Sequence, residues 1–163
     1  MNYAKIKNLD IANGEGLRVS LFVSGCPHHC NGCFNPETWD CNYGKKFTKQ
    51  TESEILEMCA KPHIAGLSLL GGEPLTPKNA KRLLSFCKRF KKMFPGKNIW
   101  CYTGFTWEQI HTLQILDYID VLVDGRFELS LKSPKLRFRG SSNQRIIDVK
   151  MSLKMSKVVL YCE

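Results

Sequence analysis

The sequence predicts an α/β protein: a partial, open (β/α) barrel around a mainly parallel sheet. Three observations lead there. Apolar runs bounded by turn residues alternate with segments of helical period, an order that favours parallel strands joined by crossover helices. Predicted strands end in glycine-containing turns at Ser24-Gly25, Gly71-Gly72 and Thr103-Gly104, where such sheets place their ligands. The 163 residues are too few for a complete eight-unit barrel, which takes about 250, but can bury roughly 70% of the unfolded surface in one core. One domain spanning residues 1–163 is expected.

The elements follow in order. Leu17-Arg-Val-Ser-Leu-Phe-Val23 reads as a strand closed by Ser24-Gly25. Thr51 and Glu54 have capping-box spacing, and Ile55, Leu56 and Cys59 give a short helix its apolar side. His63 to Leu70 is a buried strand closed by the glycine pair. Thr76, followed by Pro77, starts the clearest helix. Its Leu83, Phe86, Cys87, Phe90 and Phe94 form one stripe, and Pro95-Gly96 stops it. Asn98 to Tyr102 is a third strand. Thr106 with Gln109 opens a helix through about Leu116, and Tyr118 to Val123 is a fourth strand ending at Asp124-Gly125. A turn-rich stretch, Gly140-Ser-Ser-Asn143, leads into a β-rich tail from Arg145.

Composition excludes several classes. With 43% hydrophobic and 24% charged residues the chain is neither disordered nor fibrous. No apolar run reaches the ~20 residues of a membrane span. The first ten residues, with Lys5, Lys7 and Asp10, lack a signal-peptide core, so a cytoplasmic protein without membrane attachment is expected. Eight cysteines in this length fall below the disulfide-scaffold range of about 8–10%, and in a reducing compartment clustered cysteines point to metal. The charge of +9 suits an acidic partner. Eight Lys or Arg lie between Lys78 and Lys97, with no acid from Glu73 to Glu108. They read as a solvated helix face or a docking surface. Nucleic-acid binding is disfavoured because no recognised motif accompanies the charge.

The chemistry concentrates in Cys26-Pro-His-His-Cys30-Asn-Gly-Cys33. Three thiolates on one short loop can hold three irons of a 4Fe–4S cluster and leave the fourth open to a small molecule. A structural zinc site, with Cys41, His28 or His29 as fourth ligand, is the competing reading of the same spacing. A zinc-stabilised, basic nucleic-acid-binding module would be its functional counterpart. His28 and His29 otherwise read as exposed loop residues. Cys59 and Cys87 belong to apolar helix faces, and neither they nor Cys41, Cys101 and Cys162 suggest a second cluster. Trp100 reads as packing, and Asp124 as a cap or a ligand contact.

The Cys-x3-Cys-x2-Cys motif after the first strand, Phe34 directly behind it, and Gly71-Gly72-Glu73-Pro74 after the second strand together resemble the radical S-adenosylmethionine family. Asn13-Gly14, Phe22 to Cys26, Gly32 to Asn35, Trp39, Ile99-Trp100, Thr103-Gly104, Val121 to Gly125 and Arg139 to Asn143 are similar to the activating proteins of anaerobic, class III ribonucleotide reductases. These positions run from 13 to 143. The activators of other glycyl-radical enzymes, such as pyruvate formate-lyase, share the chemistry but are typically longer, and the Arg139 to Asn143 element argues against them.

The resemblance implies an oxidoreductase with one 4Fe–4S cluster on Cys26, Cys30 and Cys33. It implies that Gly71, Gly72 and Glu73 meet the methionine amine of S-adenosylmethionine and that Gly32, Cys33 and Phe34 contact its adenine. No catalytic residue beyond the cluster ligands is implied. The expected partners are the large catalytic subunit of the reductase, which would receive a glycyl radical, and a low-potential, flavodoxin-like electron donor. In this reading the cofactor supplies the difficult chemistry and the protein supplies binding and orientation. Glycine at positions 71 and 72 would let backbone approach the ligand where a Cβ would stand. An isolated Gly-Gly pair would otherwise be a plain tight turn.

Overall fold

A computed structural model of the chain describes residues 1–161; Cys162 lies outside them. Seven strands form one sheet: β1 (Asn2–Asp10), β2 (Leu17–Val23), β3 (Lys45–Lys46), β4 (Ile64–Gly71), β5 (Asn98–Tyr102), β6 (Val121–Asp124) and β7 (Arg145–Asp148), in the order β3-β1-β2-β4-β5-β6-β7. The helices are α1 (Lys49–Ala60), α2 (Pro77–Met93), α3 (Trp107–Ile110) and α4 (Val149–Met155). The sheet is open and its middle is parallel, through the β2–β4, β4–β5 and β5–β6 pairs. Its flanks are antiparallel: β1 pairs with β2 and with β3, and β7 pairs with β6. The expected mainly parallel sheet thus holds for the four central strands. β1 carries no continuous apolar run: apart from Asp10 its residues are half-buried or exposed, near the sheet edge, and sequence periodicity passed over it.

Each central crossover lays its helix on the same face. Val19, Leu21, Leu67, Leu69, Ile99, Cys101 and Leu122 point to that face and share a core with Ile55, Leu83, Phe86, Cys87 and Phe90 from α1 and α2. The α2 stripe is buried as its period requires, each large side chain contributing about 1.5–3 kcal/mol, while Phe94 caps the helix at its edge. Strand order advances in one direction through β2, β4, β5 and β6. The opposite face, built by the alternate residues Ser20, Phe22, Ser68, Leu70, Trp100 and Tyr102, carries no helix of these crossovers and turns toward loops.

Arg18 fills the base of that second face and is fully buried. Its guanidinium donates to Ser68 Oγ, to the carbonyls of Glu15, Leu67 and Asn98, and lies 5.6 Å from the Trp100 ring centre. Burial lowers its pKa to about 10. Trp100 is a packing residue, as its sequence context indicated, joined at its edge by Phe138 and Tyr161.

Three boundaries differ from expectation. The first helix is capped by Thr48, not Thr51: Thr48 Oγ1 accepts from the Thr51 amide and Thr51 answers from N3. The helix after Thr106 has the expected capping box but ends at Ile110, and a 3-10 turn over Gln114–Tyr118 follows. Tyr118 belongs to that turn, so β6 starts only at Val121. The tail is not all β, since β7 is followed at once by α4, capped by Asp148.

Candidate active site

The site is built where β2, β4 and β5 end. The cysteine loop leaves β2 through Gly25, whose φ of 93° belongs to the left-handed region that glycine tolerates. The loop base is fastened by backbone: Gly25 donates to the Thr38 carbonyl at 2.7 Å and Cys26 to that of Trp39 at 3.2 Å. The Cys33 amide closes a turn on the Cys30 carbonyl. Cys26, Cys30 and Cys33 are free, half-buried thiols, and all three line one cavity of about 520 Å³. Its walls include Gly71, Gly72 and Glu73 from the end of β4, Tyr102 with Thr103 and Gly104 just beyond β5, and Phe34 beside Cys33. The far side is bounded by Lys5 and Lys7 of β1 and by Phe138, Arg139 and Gly140.

The donor set fits an open cluster. Sulfur at Cys33 accepts from the Asn35 amide at 3.4 Å. Burial pushes the Cys26 thiol up, while backbone amides of His28 and His29 bonded to it work in the opposite direction. Amide bonds of this kind are what an iron-bound thiolate needs. The residues that could have closed a zinc site are turned elsewhere. His28 Nε2 meets Glu73 Oε2 at 2.8 Å, His29 stacks on Trp39, and Cys41 is exposed and does not line the cavity. Among the described residues, no three Cys, His, Asp or Glu side chains gather around a single metal ion. A cluster, with one iron for each thiolate, asks only that the sulfurs face a common volume.

Two sequence expectations change in detail. His28 is not an exposed loop residue but a buried one, because its ring is clamped between Glu73 and Phe105. The glycines of the β4 turn are required by the protein itself. Gly71 has φ 102°, and a Cβ there would lie 2.8 Å from Phe22 Cα. At Gly72 a Cβ would lie 2.8 Å from the Gly25 carbonyl oxygen and 2.9 Å from that of Thr38. Backbone of the cysteine loop, rather than open cavity, occupies that space.

Glu73 stands at the site but is fully buried, with both carboxylate oxygens engaged by protein donors. Phe34, by contrast, is 60% exposed and packs on Phe127 at the cavity mouth. Asp124 proves to be a cap: it accepts from the Trp107 amide at 2.7 Å and is clasped by Arg145. Thr103 was marked by its strand-end turn and Arg139 by its family-like element, but sequence reading did not single out Lys5 or Lys7 as wall residues. The first two lysines were visible only as breaks in an apolar N-terminus.

Three thiols lining one cavity at the ends of parallel strands are a ligand arrangement suited to an iron–sulfur cluster, and the chain belongs to the 4Fe-4S single cluster domain family, whose model matches residues 12–147. Curated relatives narrow this. The chain is 44% identical over 146 residues to the anaerobic ribonucleoside-triphosphate reductase-activating protein of Enterobacteria phage T4, covering 90% of this chain and 93% of that one. The proteins of the same name from Escherichia coli strain K12 (45% over 148 residues, 88% and 96% covered) and Pasteurella multocida strain Pm70 (47% over 152 residues, 90% and 96% covered) are similar. The chain is a member of this family of activating proteins.

Proposed function

We propose that the chain activates an anaerobic ribonucleotide reductase by reductive cleavage of S-adenosylmethionine, leaving a glycyl radical on the large catalytic subunit of the reductase. The observation that supports it most is the joint opening of three free thiols and the Gly71-Gly72 turn onto one cavity. The architecture in this reading is an open (β/α) barrel of the radical S-adenosylmethionine type, in a single domain over 1–163. The helices on one face of the central strands and the ligand cavity on the other support it.

Cys26, Cys30 and Cys33 would hold three irons and leave the fourth for the amine and carboxylate of S-adenosylmethionine. A bound, reduced cluster would supply the one-electron reduction that cleaves the S-adenosylmethionine sulfonium and leads to hydrogen abstraction from a glycine Cα of the reductase. The protein's own residues bind and orient. The turn at Gly71, Gly72 and Glu73 lies beside the cysteines and borders the space for the methionine moiety. Cys33 and Phe34 line the cavity where the adenine would lie, and Gly32 precedes them in the loop outside its lining. The apolar walls, Phe22, Leu70 and Phe138 among them, would pack against the bound ligand. A mouth this open suits a macromolecular substrate. The electron comes from a low-potential donor of flavodoxin-like kind, in a cytoplasmic setting. Among the described residues no helix is long and apolar enough to cross a membrane.

The test is anaerobic reconstitution with iron and sulfide, reduction, and addition of S-adenosylmethionine and the reductase. The expected result is about four irons per chain and a stable radical signal on the reductase by electron paramagnetic resonance. Cleavage of S-adenosylmethionine with the radical appearing on another molecule would leave the chemistry standing and remove the assigned partner.

A further inference from the structure

We propose that His28 and Glu73 are a positioning pair: they hold the cysteine loop in register with the Gly71-Gly72 turn, and so act on S-adenosylmethionine binding rather than on cluster assembly. The proposal rests on the reading of the site given above. Its basis is where the four donors to Glu73 originate. Oε1 accepts from the Leu75 amide and the Thr103 hydroxyl, both at 2.8 Å. Oε2 accepts from the Gly104 amide at 2.8 Å and faces His28 Nε2 at 2.8 Å. A carboxylate only accepts, so Nε2 is the donor. Three of these donors belong to the turns that end β4 and β5. The fourth belongs to the cysteine loop.

His28 sits two residues after Cys26 and two before Cys30, so the position of its ring governs both. The ring cannot shift cheaply. Its edge packs against Phe105 with centroids 4.6 Å apart, and it fills the space over Gly104, where a Cβ would lie 2.4 Å from the ring. Both side chains are almost wholly buried, with 4% and 1% exposure. Backbone already joins the two loops at their base, through Gly72 to Val23 and Glu73 to Gly25, each at 2.8 Å. Beyond Cys26 it is His28 that ties the loop to the glycine turn by a side-chain bond. That bond sets the offset between the irons and the turn that would receive the methionine moiety. Groups supporting a metal site in this way typically affect affinity or activity by about 10- to 100-fold.

The experiment compares His28→Ala, His28→Asn, His28→Gln and Glu73→Gln after anaerobic reconstitution. Iron content, thermal unfolding and equilibrium binding of S-adenosylmethionine are measured for each. All variants should keep iron near the wild-type level, since the three thiols remain. His28→Ala and His28→Asn should bind S-adenosylmethionine about tenfold or more weakly. His28→Gln, whose amide nitrogen reaches the place of Nε2, should recover most of the affinity. Combining His28→Ala with Glu73→Gln should be no worse than the worse single variant, the mark of two residues acting as one. Equal affinity in the Asn and Gln variants, or additive losses in the double variant, would overturn the proposal, and this comparison decides it even if His28→Ala fails to fold. Absence of iron or of S-adenosylmethionine binding in the wild-type protein would instead sink the underlying reading of the site.

Discussion

At the scale of single residues, burial separates cysteines of the same type into different roles. Burial pushes Cys59 and Cys87 up to about 12, with Cys101 also well above the ordinary value, so these thiols stay protonated inside the core. Cys26, Cys30 and Cys33 are half-buried at a cavity and can be deprotonated by metal. Replacing any one of them with Ala should abolish iron loading and S-adenosylmethionine cleavage. Cys41→Ala should retain both, because Cys41 stands outside the cavity; loss of iron in that variant, measured by metal analysis, would mean a site closed by four cysteines. Gly72→Val carries a different expectation. Its Cβ would press on the carbonyls of Gly25 and Thr38, the seat of the cysteine loop, so iron content should fall along with S-adenosylmethionine affinity. Normal iron with affinity alone lost would show that the ligand, not the loop, occupies that space.

At the scale of elements, much of the basic stretch of α2 is spent on internal ties. Arg82 and Arg89 reach the buried Glu52 of α1. Lys91 meets Asp120 at 2.5 Å, and Lys97 donates to the carbonyls of Lys61 and Ile64. Asp120 is the joint of this layer. It accepts from the Ile99 amide of β5, from Lys91 of α2 and from Lys150 of α4. Burial alone would raise its pKa, but Lys150, Lys91 and the Ile99 amide hold it below the ordinary 3.8. A carboxyl depressed in the folded state stabilises fully above its unfolded value and loses that contribution as pH falls through the lower folded one. Asp120→Asn should therefore cost about 1–2 kcal/mol near neutrality and flatten the acid side of the stability profile below pH ~4. Denaturant melts of both proteins from pH 7 to 3 test this, and an equal loss at every pH would contradict the charge argument.

At the scale of the whole molecule, the basic face of α2 and the site lie on opposite sides of the sheet. The remaining exposed lysines of α2, Lys78, Lys81, Lys88 and Lys92, belong to the helix layer, while the cavity opens on the opposite face of the sheet. Cations also stand near its mouth: Lys5, Lys7 and Arg139 line the wall, Lys132 lies 5.0 Å over the Phe34 ring, and Arg137 lies 5.0 Å over Phe138. Attraction of the reductase should act through these. Lys132→Glu with Arg137→Glu should slow radical transfer to the reductase several-fold at low salt and weaken its salt dependence. Lys81→Glu with Lys88→Glu should leave it nearly unchanged. The reverse ranking of the two pairs in an activation time course would return the docking surface to α2.

The central strands, the α2 stripe with its Thr76 cap, and the cysteine loop between β2 and the helix layer were legible in the chain, because each is set by neighbours within a few residues: period, caps, turn glycines and ligand spacing. The antiparallel flanks were not. The β-rich tail from Arg145 foretold β7 but not its antiparallel place beside β6, and half-exposed β1 is made a strand by the edge it pairs with. Nor did any local signal tell that Arg18 would be buried under Trp100; Arg18 and Ser20 alternate with Val19 and Leu21, but only the sheet shows that both faces are covered. The same holds for the site. Spacing named the three thiols and the glycine turn, whereas the burial of His28 and Glu73, and the reason Gly72 must be glycine, depend on which loops the fold brings within 3 Å of each other. Contacts between residues 45 and 47 positions apart, such as His28 with Glu73 and Gly25 with Gly72, arise only once the parallel register of β2 on β4 is in place.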